Sequence, residues 1–198
     1  IRTRVQMLAE FEELASLVHL ALTAQQSSLK IEYLPGLDMR AFMSEQKALD
    51  IDSASVFELL ELKQDELKST FIQKLQVLHR EEIQRGVTTI GPHRDELRFV
   101  ANQVDTGTYG SRGQVRTVVM ALKVGEMRWL HAKTGERPVL LLDETMAELD
   151  LVHRDALLHA LADCEQVILT ATDAHMFNAD FLTGCNIWQV EEGRIQPV

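Results

Sequence analysis

Residues 139–142 read Val-Leu-Leu-Leu, and the next two are Asp143 and Glu144. Four consecutive apolar side chains cannot alternate between core and solvent. A strand here is expected to be buried on both faces, as in a parallel sheet covered by helices. A second apolar run, residues 166–170, follows after a stretch with helical spacing at 151–162. Another helical stretch, 112–131, precedes the first run, with Val115, Val118, Val119, Leu122, Trp129 and Leu130 as its expected buried stripe and Pro138 as its stop. Strand–helix–strand alternation of this kind predicts an α/β fold with a mostly parallel sheet and flanking helices.

The N-terminal texture differs. Val5, Leu8, Phe11, Leu14, Ala15, Val18 and Leu22 recur at helical spacing, predicting one amphipathic helix that ends near residues 25–28. Leu29–Leu34 alternates apolar and polar residues before Pro35-Gly36, the pattern of a short strand and a turn. A second long helix is expected over about residues 55–84, with Leu67, Phe71, Leu75 and Leu78 on one stripe, and a further short helix within 40–52. Gly86 and Gly91-Pro92 punctuate the change of texture. A mainly helical insertion over 1–86 and an α/β part over 87–198 are the expected units. In the second, residues 97–101 read as a strand, 105–108 as a turn, and 186–190 with 194–196 as a closing strand pair.

Composition narrows the functional classes. The formal net charge of −10 argues against a chain that coats nucleic acid with its whole surface, because phosphate neutralisation needs Lys and Arg. Arg112, Arg116, Lys123, Arg128, Lys133 and Arg137, against Glu126 and Glu136, make residues 111–138 the best candidate for a basic face. No apolar run approaches the ~18 residues that span a bilayer, so no membrane association is expected. Cys164 and Cys185 lack metal-ligand or disulfide spacing, which fits a reducing cytoplasm. The start, Ile1-Arg2-Thr3-Arg4, carries neither an initiator Met nor a signal-peptide core, and the expectation is a piece of a longer chain.

Four short stretches can carry chemistry. At the end of an apolar strand Asp143 can hold Mg²⁺, and adjacent Glu144 can orient or deprotonate an attacking water. Ser111-Arg112-Gly113-Gln114 opens a helix, where exposed N–H groups and the helix dipole favour phosphate. Ser111 with Gln114 three residues on is equally a capping box, which would simply start the helix. Ala147-Glu148-Leu149-Asp150 and Thr170-Ala171-Thr172-Asp173 each read alone as a turn and a helix start. Together, in this order, the four form a specific series.

That series resembles the C-terminal half of an ABC-type ATPase head, with its signature motif, Walker B strand, D-loop and switch region. Gly91-Pro92-His93-Arg94-Asp95-Glu96-Leu97, followed by Tyr109-Gly110-Ser111-Arg112-Gly113-Gln114, is similar to the RecF family within that superfamily. The resemblance implies that Ser111, Arg112, Gly113 and Gln114 form a signature motif reaching the γ-phosphate of ATP held by an opposite subunit. It implies a Walker B role for Asp143 on Mg²⁺, a catalytic role for Glu144, a D-loop ending at Asp150, and a hydroxyl at the switch position from Thr172. The partners so implied are double-stranded and gapped DNA, RecO and RecR, which help load RecA, and a second copy of the same protein when ATP binds. The setting implied is DNA replication, recombinational repair and the SOS response, in the cytoplasm.

Two departures from the family pattern stand out. Ala147 occupies a D-loop position where Ser is common, and Gly-x-x-x-x-Gly-Lys-Ser/Thr occurs nowhere in the chain. That loop cradles the phosphates of ATP. The family implies a weak ATPase, and this chain alone is expected to be inactive. The alternatives are another SMC-like ATPase, or a non-catalytic ABC-like module for dimerisation or docking. Gly91-Pro92-His93-Arg94 could contact DNA phosphate or sense nucleotide, but the turn reading is preferred.

Overall fold

A computed structural model describes residues 1–36, 54–55, 63–161 and 164–198. Helix α1 (Arg2–Leu22) runs into strand β1 (Leu29–Leu34), and β2 (Ala54–Ser55) and helix α2 (Gln64–Arg85) follow. A 3-10 turn (Pro92–Arg94) leads into β3 (Glu96–Ala101), β4 (Val104–Asp105) and the one-turn helix α3 (Thr106–Tyr109). Helix α4 (Arg112–Thr134), strand β5 (Leu140–Leu142), a 3-10 turn (Thr145–Glu148), helix α5 (Leu151–Leu161) and strand β6 (Val167–Leu169) come next. After a 3-10 turn (Ala174–Met176), helix α6 (Ala179–Thr183) and strands β7 (Trp188–Glu191) and β8 (Arg194–Pro197) close the chain.

The expected α/β class holds. Strands β5 and β6 pair in parallel, Leu140 opposite Val167 and Leu142 opposite Leu169. An antiparallel sheet in the order β2-β1-β3-β4 lies apart from them, and β7-β8 is a separate antiparallel pair. Alternation in β1 turns Leu29, Ile31 and Tyr33 inward and leaves Lys30 exposed. On the opposite face Glu32 stands across from Arg98, whose guanidinium reaches both Glu32 and Asp105 at 3.3 Å.

One core gathers Ala15, Val18 and Leu22 of α1, Val118, Ala121 and Val124 of α4, Leu140 and Leu142 of β5, and Leu157 and Leu161 of α5. A smaller cluster joins Val5, Leu8 and Ala9 to Ile31 and Tyr33, with Leu67 and Phe71 of α2 against it. Fully burying each aliphatic side chain contributes roughly 1.5–3 kcal/mol, so these two clusters hold α1 to the antiparallel β2-β1-β3-β4 sheet and to the β5–β6 pair.

Several local expectations are corrected. The buried face of α4 consists of Thr117, Val118, Ala121, Val124, Gly125 and Met127, whereas Val115 and Val119 are exposed. Small residues set that face: a Cβ on Gly125 would stand 2.9 Å from the Ala15 Cα, so α1 packs where α4 has no side chain. Gly135, in the left-handed region at φ +75°, ends α4 three residues before Pro138. Helix α1 stops at Leu22, ahead of the expected end, because Ala24 and Gln25 both take positive φ. The expected turn at 105–108 is β4 followed by α3, whose Gly107 N–H is capped by the Asp105 carboxylate.

The parallel strands are covered on one face only. Leu140 and Leu142 are buried, whereas Leu141 is 67% exposed and Ile168 49%. Of the expected helix over 55–84, residues 56–62 lie outside the described residues, as does the short helix expected within 40–52. Ser55 itself sits in β2, and the stripe Leu67, Phe71, Leu75 and Leu78 is half-buried.

Candidate nucleotide-facing site

Parallel pairing of β5 with β6 brings two loops to one sheet edge. Asp143 and Glu144 follow β5, and Thr170 follows β6, its N–H donating to the Leu142 carbonyl at 3.0 Å. The Thr170 hydroxyl donates to Asp143 Oδ1 at 2.5 Å and accepts the Glu144 N–H at 2.9 Å. Glu144 itself is held at φ +48°, a conformation that non-glycine residues seldom take and that concentrates at functional sites. Both carboxylates are exposed at the C-terminal edge of the strands, where open α/β sheets bind ligands.

Exposed carboxylate oxygens with one position already fixed by a hydroxyl suit a hard cation such as Mg²⁺, which is satisfied by one or two carboxylates plus water and phosphate oxygens. Among the described residues, no group of three or more His, Cys, Asp or Glu gathers to hold a metal. Asp143 would therefore supply a small share of the ligands.

The second group opens α4. Gly110 must be glycine on steric grounds, because a Cβ there would run into the Thr106 backbone. Ser111 Oγ accepts the Gln114 N–H at 3.2 Å, and Gln114 Oε1 accepts the Ser111 N–H at 2.9 Å. The capping box is thus formed, and it starts the helix. It leaves the amides of Arg112 and Gly113, which have no partner within the helix, at the positive end of the dipole. All four residues are exposed, so the cap and a phosphate contact are compatible.

Asp150 precedes α5, where its carboxylate accepts from the His153 N–H at 3.0 Å and lies 2.8 Å from His153 Nδ1. These contacts, the backbone one foremost, hold Asp150 below the usual carboxylate range. Thr172 is exposed between β6 and the 3-10 turn that follows. His175 donates its backbone N–H to Asp173 at 2.8 Å. The structure thus brings Asp143 and Glu144 together with Thr170, while Ser111–Gln114, Asp150 and Thr172 stand on three other segments. Sequence reasoning singled out Thr172 of the Thr-Ala-Thr-Asp stretch and missed Thr170. The signal was available: a hydroxyl residue directly after an apolar strand whose parallel neighbour ends in an acid.

The basic face expected over 111–138 is partly neutralised. Lys123 meets Glu126 at 3.1 Å, Lys133 meets Glu10 at 2.7 Å, and Arg137 lies 3.9 Å from Glu165. Glu10 also accepts the Trp129 indole N–H, and Lys133 with Trp129 holds its carboxylate low. Gly91-Pro92-His93-Arg94 is a turn as expected, clamped from both sides. Arg4 donates to the Pro92 carbonyl at 2.8 Å and Arg94 Nε to the Thr88 carbonyl at 2.9 Å. Asp95, its side chain only 3% exposed, accepts from Arg4 at 2.6 Å, from Gly36 N–H at 2.8 Å and from the Tyr33 hydroxyl.

An open cleft of about 510 Å³ lies at the opposite end of β5 and β6, lined in part by His131, Arg137 and Glu165, and it shares no residue with the acidic pair. No helix among the described residues is long and apolar enough to cross a membrane.

No family model matches the chain. Individual proteins do. Over 196 residues it is 33% identical to the DNA replication and repair protein RecF of Rippkaea orientalis, an alignment covering 99% of this chain and 46% of that protein. RecF of Staphylococcus carnosus is 32% identical over 97% of this chain and 47% of its own length. RecF of Chloroflexus aggregans is 35% identical over 97% and 44%. A solved structure of the recombination mediator protein RecF-ATPrS in the RecFOR pathway superposes with a TM-score of 0.68 at 22% identity, covering all of this chain and 46% of that one. The structure of RecF-ATP in the same pathway gives 0.69 at 20% identity. The fold is shared with those structures. The chain spans about half the length of the curated relatives it matches, and it is homologous to the C-terminal part of RecF proteins.

Proposed function

We propose that this chain is the signature and Walker B part of a RecF-type ABC ATPase head, with residues 1–86 as its mainly helical insertion and 87–198 as its nucleotide-facing part. The observation that carries the reading is the acidic pair Asp143-Glu144 at the C-terminal edge of a parallel strand, with Asp143 oriented by the next strand.

In this reading ATP, and the Mg²⁺ that neutralises its phosphate charge, lie between two copies of the protein. Asp143 holds the metal through its carboxylate. Glu144 accepts the proton of the attacking water, a role open to an exposed carboxylate beside the metal ligand. Ser111, with the amides of Arg112 and Gly113, meets the γ-phosphate bound by the opposite subunit, and a helix N-terminus favours that charge. Asp150 faces the subunit boundary, and Thr172 lends a hydroxyl to the same phosphate. Catalysis is then a matter of positioning and electrostatics. ATP favours the closed dimer because the signature amides reach phosphate only there. The closed dimer holds double-stranded or gapped DNA in the cytoplasm, and with RecO and RecR it helps load RecA during recombinational repair and the SOS response.

The test is light scattering of the full-length protein with and without ATP, for wild type, Ser111→Arg and Glu144→Gln. Dimers that form with ATP, vanish in Ser111→Arg and persist in Glu144→Gln support the sandwich. An oligomeric state that ATP leaves unchanged in all three removes that support and favours a non-catalytic dimerisation or docking module.

A further inference from the structure

We propose that Thr170 is the positioning residue of the acidic pair, its single hydroxyl fixing both the Asp143 carboxylate and the Glu144 backbone. The inference rests on the reading of Asp143 as the metal carboxylate and adds to it the residue that sets its geometry.

Three contacts converge on Thr170. Its backbone is pinned to β5 through the Leu142 carbonyl at 3.0 Å, one step beyond the Leu142–Leu169 pair of the ladder. Its hydroxyl proton goes to Asp143 Oδ1 at 2.5 Å, a short bond of the charge-assisted kind. The hydroxyl oxygen accepts the Glu144 N–H at 2.9 Å. A hydroxyl has one proton and two lone pairs, so both roles can be filled at once.

The two bonds do different things. The bond to Asp143 occupies Oδ1 and leaves Oδ2 for a metal or a metal-bound water. The bond to Glu144 satisfies an amide that its left-handed backbone turns away from any helix or ladder, and so offsets the cost of φ +48°. Asp143 and Glu144 are adjacent in the chain and would otherwise be free to reorient independently at an exposed strand end. With Thr170 in place they are tied to one point on the neighbouring strand. This is how outer partners orient the ligands of metal sites in general.

The test uses the full-length protein and manganese(II) as the spectroscopic stand-in for Mg²⁺. Manganese binding in the presence of ATP is followed by electron paramagnetic resonance, beside metal-free ATP binding and thermal unfolding. Thr170→Val keeps the shape of the side chain and removes the hydroxyl. It is expected to weaken manganese binding about 10- to 100-fold, the usual effect of losing an outer partner, while metal-free ATP binding is unchanged. Thr170→Ser restores the hydroxyl and the binding. Thr170→Ala replaces the Val variant if the latter loses its cooperative unfolding.

A folded Val or Ala variant that binds manganese as wild type does overturns the proposal, as does a Ser variant as weak as Val. Asp143→Asn is the separate control. If it too binds manganese like wild type, Asp143 is not the metal carboxylate, and the reading beneath the proposal falls along with it. If Asp143→Asn loses the metal and Thr170→Val does not, only the proposal for Thr170 is overturned.

Discussion

Gly125 lies against Ala15 so closely that a Cβ on the glycine would come within 2.9 Å of the alanine Cα and 3.1 Å of its Cβ. This contact is the crossing point of α1 and α4, with Val18, Ala121 and Val124 packed around it. Alanine is the better helix former by about 0.8–1 kcal/mol, so an unconstrained Gly125→Ala would stabilise. Here the atoms in the way are mainly backbone. Gly125→Ala is expected to destabilise by about 1–3 kcal/mol net, the range for overpacked cores, read as a lower midpoint in urea denaturation.

Asp95 ties three parts of the chain together: Arg4 of α1, Tyr33 of β1 and the Gly36 amide. Burial, and after it the bond to Asp95, push the Tyr33 phenol above its ordinary pKa. Asp95→Ala leaves the Tyr33 hydroxyl and the Gly36 amide without their acceptor, at about 1–3 kcal/mol for each unsatisfied group that stays buried. Tyr33→Phe removes one donor and is expected to cost about 1 kcal/mol. Chemical denaturation of both variants and the double variant should show coupling, because the Tyr33 hydroxyl bonds directly to the Asp95 carboxylate.

His19 is buried in α1 and lies 3.0 Å from the Ser27 carbonyl through Nδ1. Burial is the main reason its folded pKa lies below the ordinary value near 6.5. The unfolded chain therefore takes up a proton first as the pH falls, and stability present above about 6.5 is lost toward the folded pKa, by at most about 1.4 kcal/mol per pH unit. Glu12 acts in the opposite sense: burial raises its folded pKa, so its contribution is present at low pH and lost as the pH rises through that pKa. Comparing wild type with His19→Gln across pH 5–7.5 cancels the Glu12 part. A flatter profile in the variant is the expected result.

Ser111 can be tested separately as a cap and as a phosphate contact. Ser111→Ala loses the bond to the Gln114 amide and is expected to cost about 1 kcal/mol in thermal unfolding. Ser111→Asp keeps an N-cap oxygen and places negative charge at the positive end of α4, so the fold should be as stable as wild type. The same charge repels phosphate. A full-length Ser111→Asp protein that unfolds like wild type yet no longer dimerises with ATP would assign Ser111 both roles. ATP-dependent dimers at wild-type levels would reduce it to the cap.

Much of the fold was legible because local patterns decide local elements. Alternation in Leu29–Leu34 specified β1, and the apolar runs ending at Leu142 and Thr170 specified β5 and β6. The buried face of α4 includes Val118 of the expected stripe but departs from it at Val115 and Val119, because the periodicity argument weighs large apolar side chains, whereas the contact with α1 selects their absence at Ala121 and Gly125. Likewise the sequence assigns Asp95 no structural role of its own, because nothing local announces that Arg4 and Tyr33 will converge on it from positions far away in the chain.

Local patterns were enough for the main helices and strands, the capping box at Ser111 and Gln114, and the placing of Asp143-Glu144 at the end of an apolar strand. Each depends on residues within a few positions of one another, where backbone geometry leaves few choices. Long-range packing settled which Thr of the Thr-Ala-Thr-Asp stretch meets Asp143, which side of α4 is buried, and which carboxylates are engaged. Those outcomes follow from the register of β5 on β6 and from how closely two helices approach, distances set by the whole core.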